Sequence, residues 1–108
     1  MTDAELIARL EAHPGFWNSS LDENVGRAFG RERDTSGAWP PFTYSLDAAV
    51  SLIHGPWVAH WGYGGMGEWL ASAKCGTGSN FEMRYSGTAA TPALALCIAA
   101  LRAKESTT

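Results

Sequence analysis

Apolar residues recur along this chain at two periods, and the change from one to the other falls near Pro56. In the first half the period is helical. Thr2 and Glu5 have the spacing of a capping box, in which each side chain satisfies the other's free backbone N–H. Leu6, Ile7 and Leu10 follow as one stripe, and Pro14-Gly15 ends the helix. A second box, Ser20 to Glu23, opens a helix whose Leu21, Val25, Ala28 and Phe29 share a face, with Gly30 at its C′ position. Ser45 caps a third helix with Leu46, Ala49, Val50 and Ile53 inward, and His54-Gly55-Pro56 stops it. Arg31 to Tyr44, between the second and third helices, predicts a long loop, and loops of this length in compact domains are usually functional or disordered. Its Trp39 and Phe42 are expected to pin it to the rest of the chain.

From Trp57 the period becomes two. Trp57, Ala59, Trp61 and Tyr63 alternate with Val58, His60 and Gly62. Trp69, Ala71, Ala73 and Cys75 alternate with Leu70, Ser72 and Lys74, and Phe81, Met83 and Tyr85 with Glu82, Arg84 and Ser86. Three strands of an antiparallel meander are predicted. Glycine-rich hairpin loops at Gly64–Met66 and Gly76–Gly78 set Trp61 opposite Trp69, Ala59 opposite Ala71, Ala73 opposite Phe81 and Trp69 opposite Tyr85. Large residues then face small ones, and most of the tryptophans are expected in the core.

The last element is a helix with Thr91 as N-cap and Pro92 at N1, where a missing N–H costs nothing. Leu94, Cys97, Ile98 and Leu101 form its buried stripe, Ala93 and Ala100 permit close approach to the sheet, and Arg102 and Lys104 complement the negative end of its dipole. The predicted fold is α+β: a three-stranded antiparallel meander packed with about four helices, in the order α-α-α-β-β-β-α. Residues 1–104 make one domain and 105–108 a flexible tail.

Composition adds bounds. A chain of 108 residues with 45% hydrophobic and 18% charged residues is globular and long enough for a single core. A formal charge of −3 argues against sequence-nonspecific nucleic-acid binding, which rests on neutralising phosphates. The acidic amphipathic start M-T-D-A-E-L-I lacks the features of a signal peptide, so Cys75 and Cys97 are expected to be reduced and buried. The longest apolar run, Ala89 to Leu101, is too short to span a bilayer.

Two stretches, Y-S-L-D-A-A-V-S-L-I (Tyr44 to Ile53) and A-T-P-A-L-A-L-C-I-A-A-L-R-A (Ala90 to Ala103), resemble signatures of the phage ABA-sandwich domain family. The second is the more specific, because the T-P cap, the alanine spacing and the central cysteine occur together. The resemblance implies helices on both faces of the sheet and a small protein made in the cytoplasm of an infected host cell. It carries no catalytic residues to this chain. Alternation points elsewhere for one face, which reads Val58, His60, Leu70, Ser72, Lys74, Glu82 and Arg84. Its Leu70 and Val58 end suits cover by a helix, and its Lys74 and Glu82 end is open.

Candidate chemistry is sparse. His13, His54 and His60 do not converge as zinc ligands must, and neither cysteine has C-x-x-C spacing. No spacing brings Glu68, Glu82 or Asp47 together for acid–base work, and G-Y-G-G-M-G-E leads into a strand, whereas a phosphate loop leads into a helix. No enzyme activity and no cofactor are therefore expected. What remains is a set of cations and aromatics: Arg31, Arg33, Trp39 and Phe42 of the loop, with Lys74 and Arg84 of the sheet. Guanidinium for phosphate and an aromatic plane for a base suffice for a nucleotide-like ligand. The plainer account of Lys74, Glu82 and Ser72 is a solvated face. Together with the resemblance, these residues suggest a homo-oligomeric, non-enzymatic binder that sequesters a nucleotide-derived host immune signal. The alternative is an inhibitor that docks on a host defence protein through an acidic surface.

Overall fold

In a computed structural model the chain is described over residues 2–15, 18–53, 57–64, 67–77 and 80–107, with side chains described in all but 57–58, 74–77, 80–84 and 105–107. Trp17, the His54–Pro56 stop and parts of both hairpin loops lie outside the described residues, as do the side chains of Trp57, Lys74, Cys75, Phe81, Met83 and Arg84. The elements are α1 (Asp3–Ala12), α2 (Ser19–Ala28), α3 (Leu46–Val50), β1 (Trp57–Tyr63), β2 (Trp69–Thr77), β3 (Asn80–Ala89) and α4 (Pro92–Thr107). The order is the predicted one, and the fold is α+β. The helix α4 continues through residues 105–107, where the sequence predicts a tail.

Local signals placed most of the helix ends. The capping box of α1 is present, with Glu5 N–H donating to Thr2 Oγ1 and Thr2 N–H to Glu5 Oε1. Gly30, at φ 66°, closes α2, where Arg31 N–H reaches the Gly26 carbonyl and Gly30 N–H the Arg27 carbonyl, a Schellman arrangement. The N-cap of α2 is a correction. Asn18, not Ser20, caps it, its Oδ1 accepting from Ser20 and Leu21 N–H. An asparagine two residues upstream competes well for that role, and it frees Glu23 for other partners. Ser45 caps α3 as predicted, but the helix ends at Val50 and passes into turns.

The sheet has the order β1-β2-β3, antiparallel throughout. Its register differs from the one predicted. Trp69 meets Tyr63 rather than Trp61, and Ala89 rather than Tyr85. Both displacements are even from β1 to Cys75 of β2, so those residues keep their faces, and the step becomes odd beyond the irregularity at Cys75/Gly76. The first arises because the β1–β2 turn is centred one residue later than predicted, with Gly64 N–H donating to the Glu68 carbonyl. The second arises because β2 runs on to Thr77, which pairs with Asn80, and the irregularity at Cys75/Gly76 adds one further step.

Helix α4 is the centre of the molecule. Every residue from Ala93 to Leu101 is buried, so it is apolar on all sides, as a core helix is. One side packs on β2 and β3 and the other on α1 and α3. The close approach to the sheet is at Gly87, where an added Cβ would stand 2.5 Å from the Ala95 carbonyl oxygen and 2.7 Å from Ile98 Cβ. Ala73 and Ala99 pack nearby with Ile53 and Tyr85 at their margin. Ala95 and Ile98, rather than Ala93 and Ala100, thus meet the sheet at its tightest point.

Among the described side chains no tryptophan is fully buried. Trp61 is 44% exposed and Trp39 and Trp69 are half-buried, because α4 covers the alanines of β2 and β3 and reaches the β1 end least. Nor does a helix cover the Leu70 end of the other face, since Leu70 is 51% exposed. No helix among the described residues is long and apolar enough to cross a membrane.

Candidate arginine–tryptophan site

The loop from Arg31 to Tyr44 is ordered by its own short side chains. Asp34 accepts from the N–H groups of Ser36 and Ala38 and from the Ser36 hydroxyl, and Gly37 takes φ 86° to let the chain turn back. The Ser36 hydroxyl, then the Ala38 N–H, hold the Asp34 carboxyl below its ordinary pKa. At the far end of the loop, buried Asp22 of α2 accepts from Thr43 N–H at 2.8 Å and from the Thr43 hydroxyl at 2.6 Å. The neighbouring Phe42 carbonyl accepts from the Cys97 thiol of α4 at 3.1 Å. The loop is thereby tied to α2 and α4 at once.

Between these anchors lies Trp39. Its six-membered ring rests against Gly26, where an added Cβ would be 2.5 Å from Cε3. Its indole N–H donates to Glu23 Oε1 at 3.2 Å. Two guanidinium groups lie over the ring, Arg27 at 5.6 Å and Arg33 at 5.8 Å from the centroid. Both also pair with the Glu23 carboxylate at 3.6 Å. Contacts of this kind at exposed sites are worth only about 0.5–1 kcal/mol each. With 63% and 55% of their side chains exposed, the arginines are held in place yet open to exchange.

The six predicted site residues therefore separate. Arg33 and Trp39 come together. Arg31 stands nearby in sequence, but its Nη2 donates to the Ser51 carbonyl at 2.8 Å and ties the loop to the end of α3. Phe42 is 1% exposed among Leu10, Leu21 and Val25, so it packs the core and shows no face to a ligand. Lys74 and Arg84 are register partners across β2 and β3, with side chains outside the described residues. Two members of the cluster were missed, Arg27 and Glu23. The signal available for Arg27 was helical spacing from Glu23, an i,i+4 pair on the exposed face of α2.

Other chemistry is limited. Burial, then the Asp22 charge, pushes the Cys97 thiol well above its ordinary range, the opposite of an activated nucleophile. Among the described residues no three His, Cys, Asp or Glu side chains are grouped to hold a metal. A cavity of about 200 Å³ opens between the end of α1 and the turn before β2, lined by Glu11, Gly67, Glu68, Thr88, Ala89 and Ala90. It contains none of the predicted site residues and is acidic. Comparison with protein-family models, with curated proteins and with solved structures finds no match to this chain.

Proposed function

We propose that the chain is a non-enzymatic binding protein whose ligand is a nucleotide-like anion taken up at Trp39. The observation that carries this reading is the indole with two exposed guanidiniums over it and one carboxylate holding all three. A base can stack on Trp39 only where a guanidinium now lies. Binding is then an exchange: Arg27 or Arg33 leaves the ring and Glu23 for a phosphate, where its planar fork makes paired hydrogen bonds. Glu23 keeps the indole N–H and with it the ring's orientation.

The resemblance of Tyr44–Ile53 and Ala90–Ala103 to the phage ABA-sandwich family suggests the source of such a ligand, a nucleotide-derived immune signal of a host, sequestered in its cytoplasm. An inhibitor of a host defence protein would need a broad association surface. The exposed aromatic end of the sheet is the surface of that kind, and a second copy of this chain is the occupant we propose for it.

A thermal-shift titration against linear and cyclic nucleotides and ADP-ribose tests the proposal. A ligand at a hundred times its Kd stabilises by about 2.7 kcal/mol. Arg33→Gln is expected to lose most of that shift without lowering the Tm of the free protein, and the ligand is expected to be recovered intact after denaturation. No shift with any member of the panel, or a converted ligand, sinks the reading.

A further inference from the structure

The two outer strands of the sheet are supported differently. Against β3 pack both α4 and α1, and the Arg102 guanidinium donates to the Ser86 carbonyl at 2.6 Å. At the other edge, among the described residues, β1 pairs with β2 alone, and α4 touches it less than it touches β2 or β3. Sheet edges are normally blunted by Lys, Pro, a bulge or a covering element, because their free N–H and C=O groups template further pairing. The sequence of β1, WVAHWGY, contains no Pro and no charged residue, and its register with β2 is unbroken. His60 is exposed on one face, and on the other Trp61 and Tyr63 are 44% and 61% exposed.

We propose that β1 pairs with β1 of a second copy of this chain, antiparallel about a two-fold axis through His60, joining two three-stranded sheets into one of six strands. Three observations select a second copy as the occupant. The first is size. With His60 opposite His60, Ala59 of each chain meets Trp61 of the other, large against small, on the face where Trp61 is now exposed; pairing of this kind is the unit of sheet stabilisation. An axis through Trp61 would instead set indole against indole.

The second is charge. Each chain carries a net charge of −3, so self-association is opposed by long-range repulsion except where the meeting surfaces are uncharged. The strand β1 is seven residues long and carries no charge. The third is area. Aromatic side chains bury about 150–250 Å² each, so the exposed parts of Trp61 and Tyr63 give roughly 200 Å² per chain. With the paired backbones the interface falls at or below the lower end of stable interfaces, about 1,200 Å². The dimer is accordingly a weak one, set by concentration.

Sedimentation velocity over a concentration series is the test. The wild type is expected to move from 11.6 kDa to twice that mass as concentration rises. His60→Glu places two carboxylates opposite each other at the axis and is expected to stay monomeric. Leu70→Glu, an exposed change on β2 away from the edge, is expected to dimerise as the wild type does. The register is tested by oxidation: antiparallel partners lie about 4.5–5.5 Å apart at Cα, within disulfide reach. His60→Cys should therefore cross-link to itself above the wild-type background, and Gly62→Cys should not. A wild type that is monomeric at every concentration overturns the proposal. So does a His60→Glu dimer, a monomeric Leu70→Glu, or cross-linking at position 62 in place of 60.

Discussion

Trp39 and Gly26 are in contact so close that the glycine's missing Cβ is the space the indole occupies: a methyl group there would stand 2.5 Å from Cε3 and 2.6 Å from Cζ3. That single relationship holds a loop tryptophan over a helix in the middle of α2.

Gly26→Ala is therefore expected to expel the ring while improving the helix. Alanine is favoured over glycine in a helix interior by about 1 kcal/mol, and the lost Trp39 packing and indole hydrogen bond offset a similar amount. The Tm should move by only a few degrees, while the near-ultraviolet dichroism of Trp39 and nucleotide binding are both lost. Retained binding in this variant would detach the ligand from Trp39.

Gly87 has no such freedom. Its neighbours are the Ala95 backbone and the Ile98 branch point, neither of which can swing aside. Gly87→Ala should cost about 1–3 kcal/mol through overpacking, read as a fall in urea midpoint. Gly62→Ala, with nothing within 4 Å of the new methyl, is the matched control and should change stability little. Equal effects of the two would mean that α4 is not held against β3 as described.

The Asp22–Thr43 pair is buried, and one carboxylate oxygen receives both Thr43 donors. Asp22→Ala leaves a buried N–H and a hydroxyl without their acceptor and is expected to cost about 2–4 kcal/mol. Asp22→Asn keeps an acceptor oxygen and should cost less. Hydrogen exchange at the Thr43 amide reports the same loss locally. An Asp22→Ala variant as stable as the wild type would show that the loop is anchored elsewhere.

Cys97 gives a pH dependence with a definite sign. Its thiol is pushed up in the folded chain by burial and then by the Asp22 charge, whereas the unfolded thiol ionises near about 8.5. Above that pH the unfolded state loses a proton that the folded state keeps. Stability should then fall by up to about 1.4 kcal/mol per pH unit, with the contribution fully present below the unfolded value. Cys97→Ala should flatten this part of the alkaline slope, whatever its cost at neutral pH. Denaturant titrations at pH 8, 9 and 10 measure it, and an unchanged slope would count against a neutral buried thiol.

Much of the fold was legible because it rests on short-range signals. The Thr2–Glu5 box, Ser45, Gly30 and Thr91–Pro92 each act within a few residues, and period two marked all three strands. What was not legible depends on distance. Nothing near Trp61 says how far α4 reaches across the sheet, so a residue on the inner face reads as core although it is exposed. The register slipped, by even steps along most of the sheet, because turn position, not face pattern, decides among registers of equal parity. At the site, Arg33 and Trp39 could be named as a type of chemistry, but Arg27 and Glu23 belong to another element and meet them only in the folded chain. Phe42 shows the reverse error: like Trp39 its ring approaches Gly26, but it is packed wholly into the core.

One consequence follows from where α4 sits. The element that every layer leans on is made after all the others it holds. While residues 1–91 emerge from a ribosome, the alanine face of the sheet and the leucine stripe of α1 have no surface to close on. Completion of the fold must then be late and nearly all-or-none, with the earlier segments depending on whatever keeps bare apolar surface from aggregating until Pro92–Leu101 arrives.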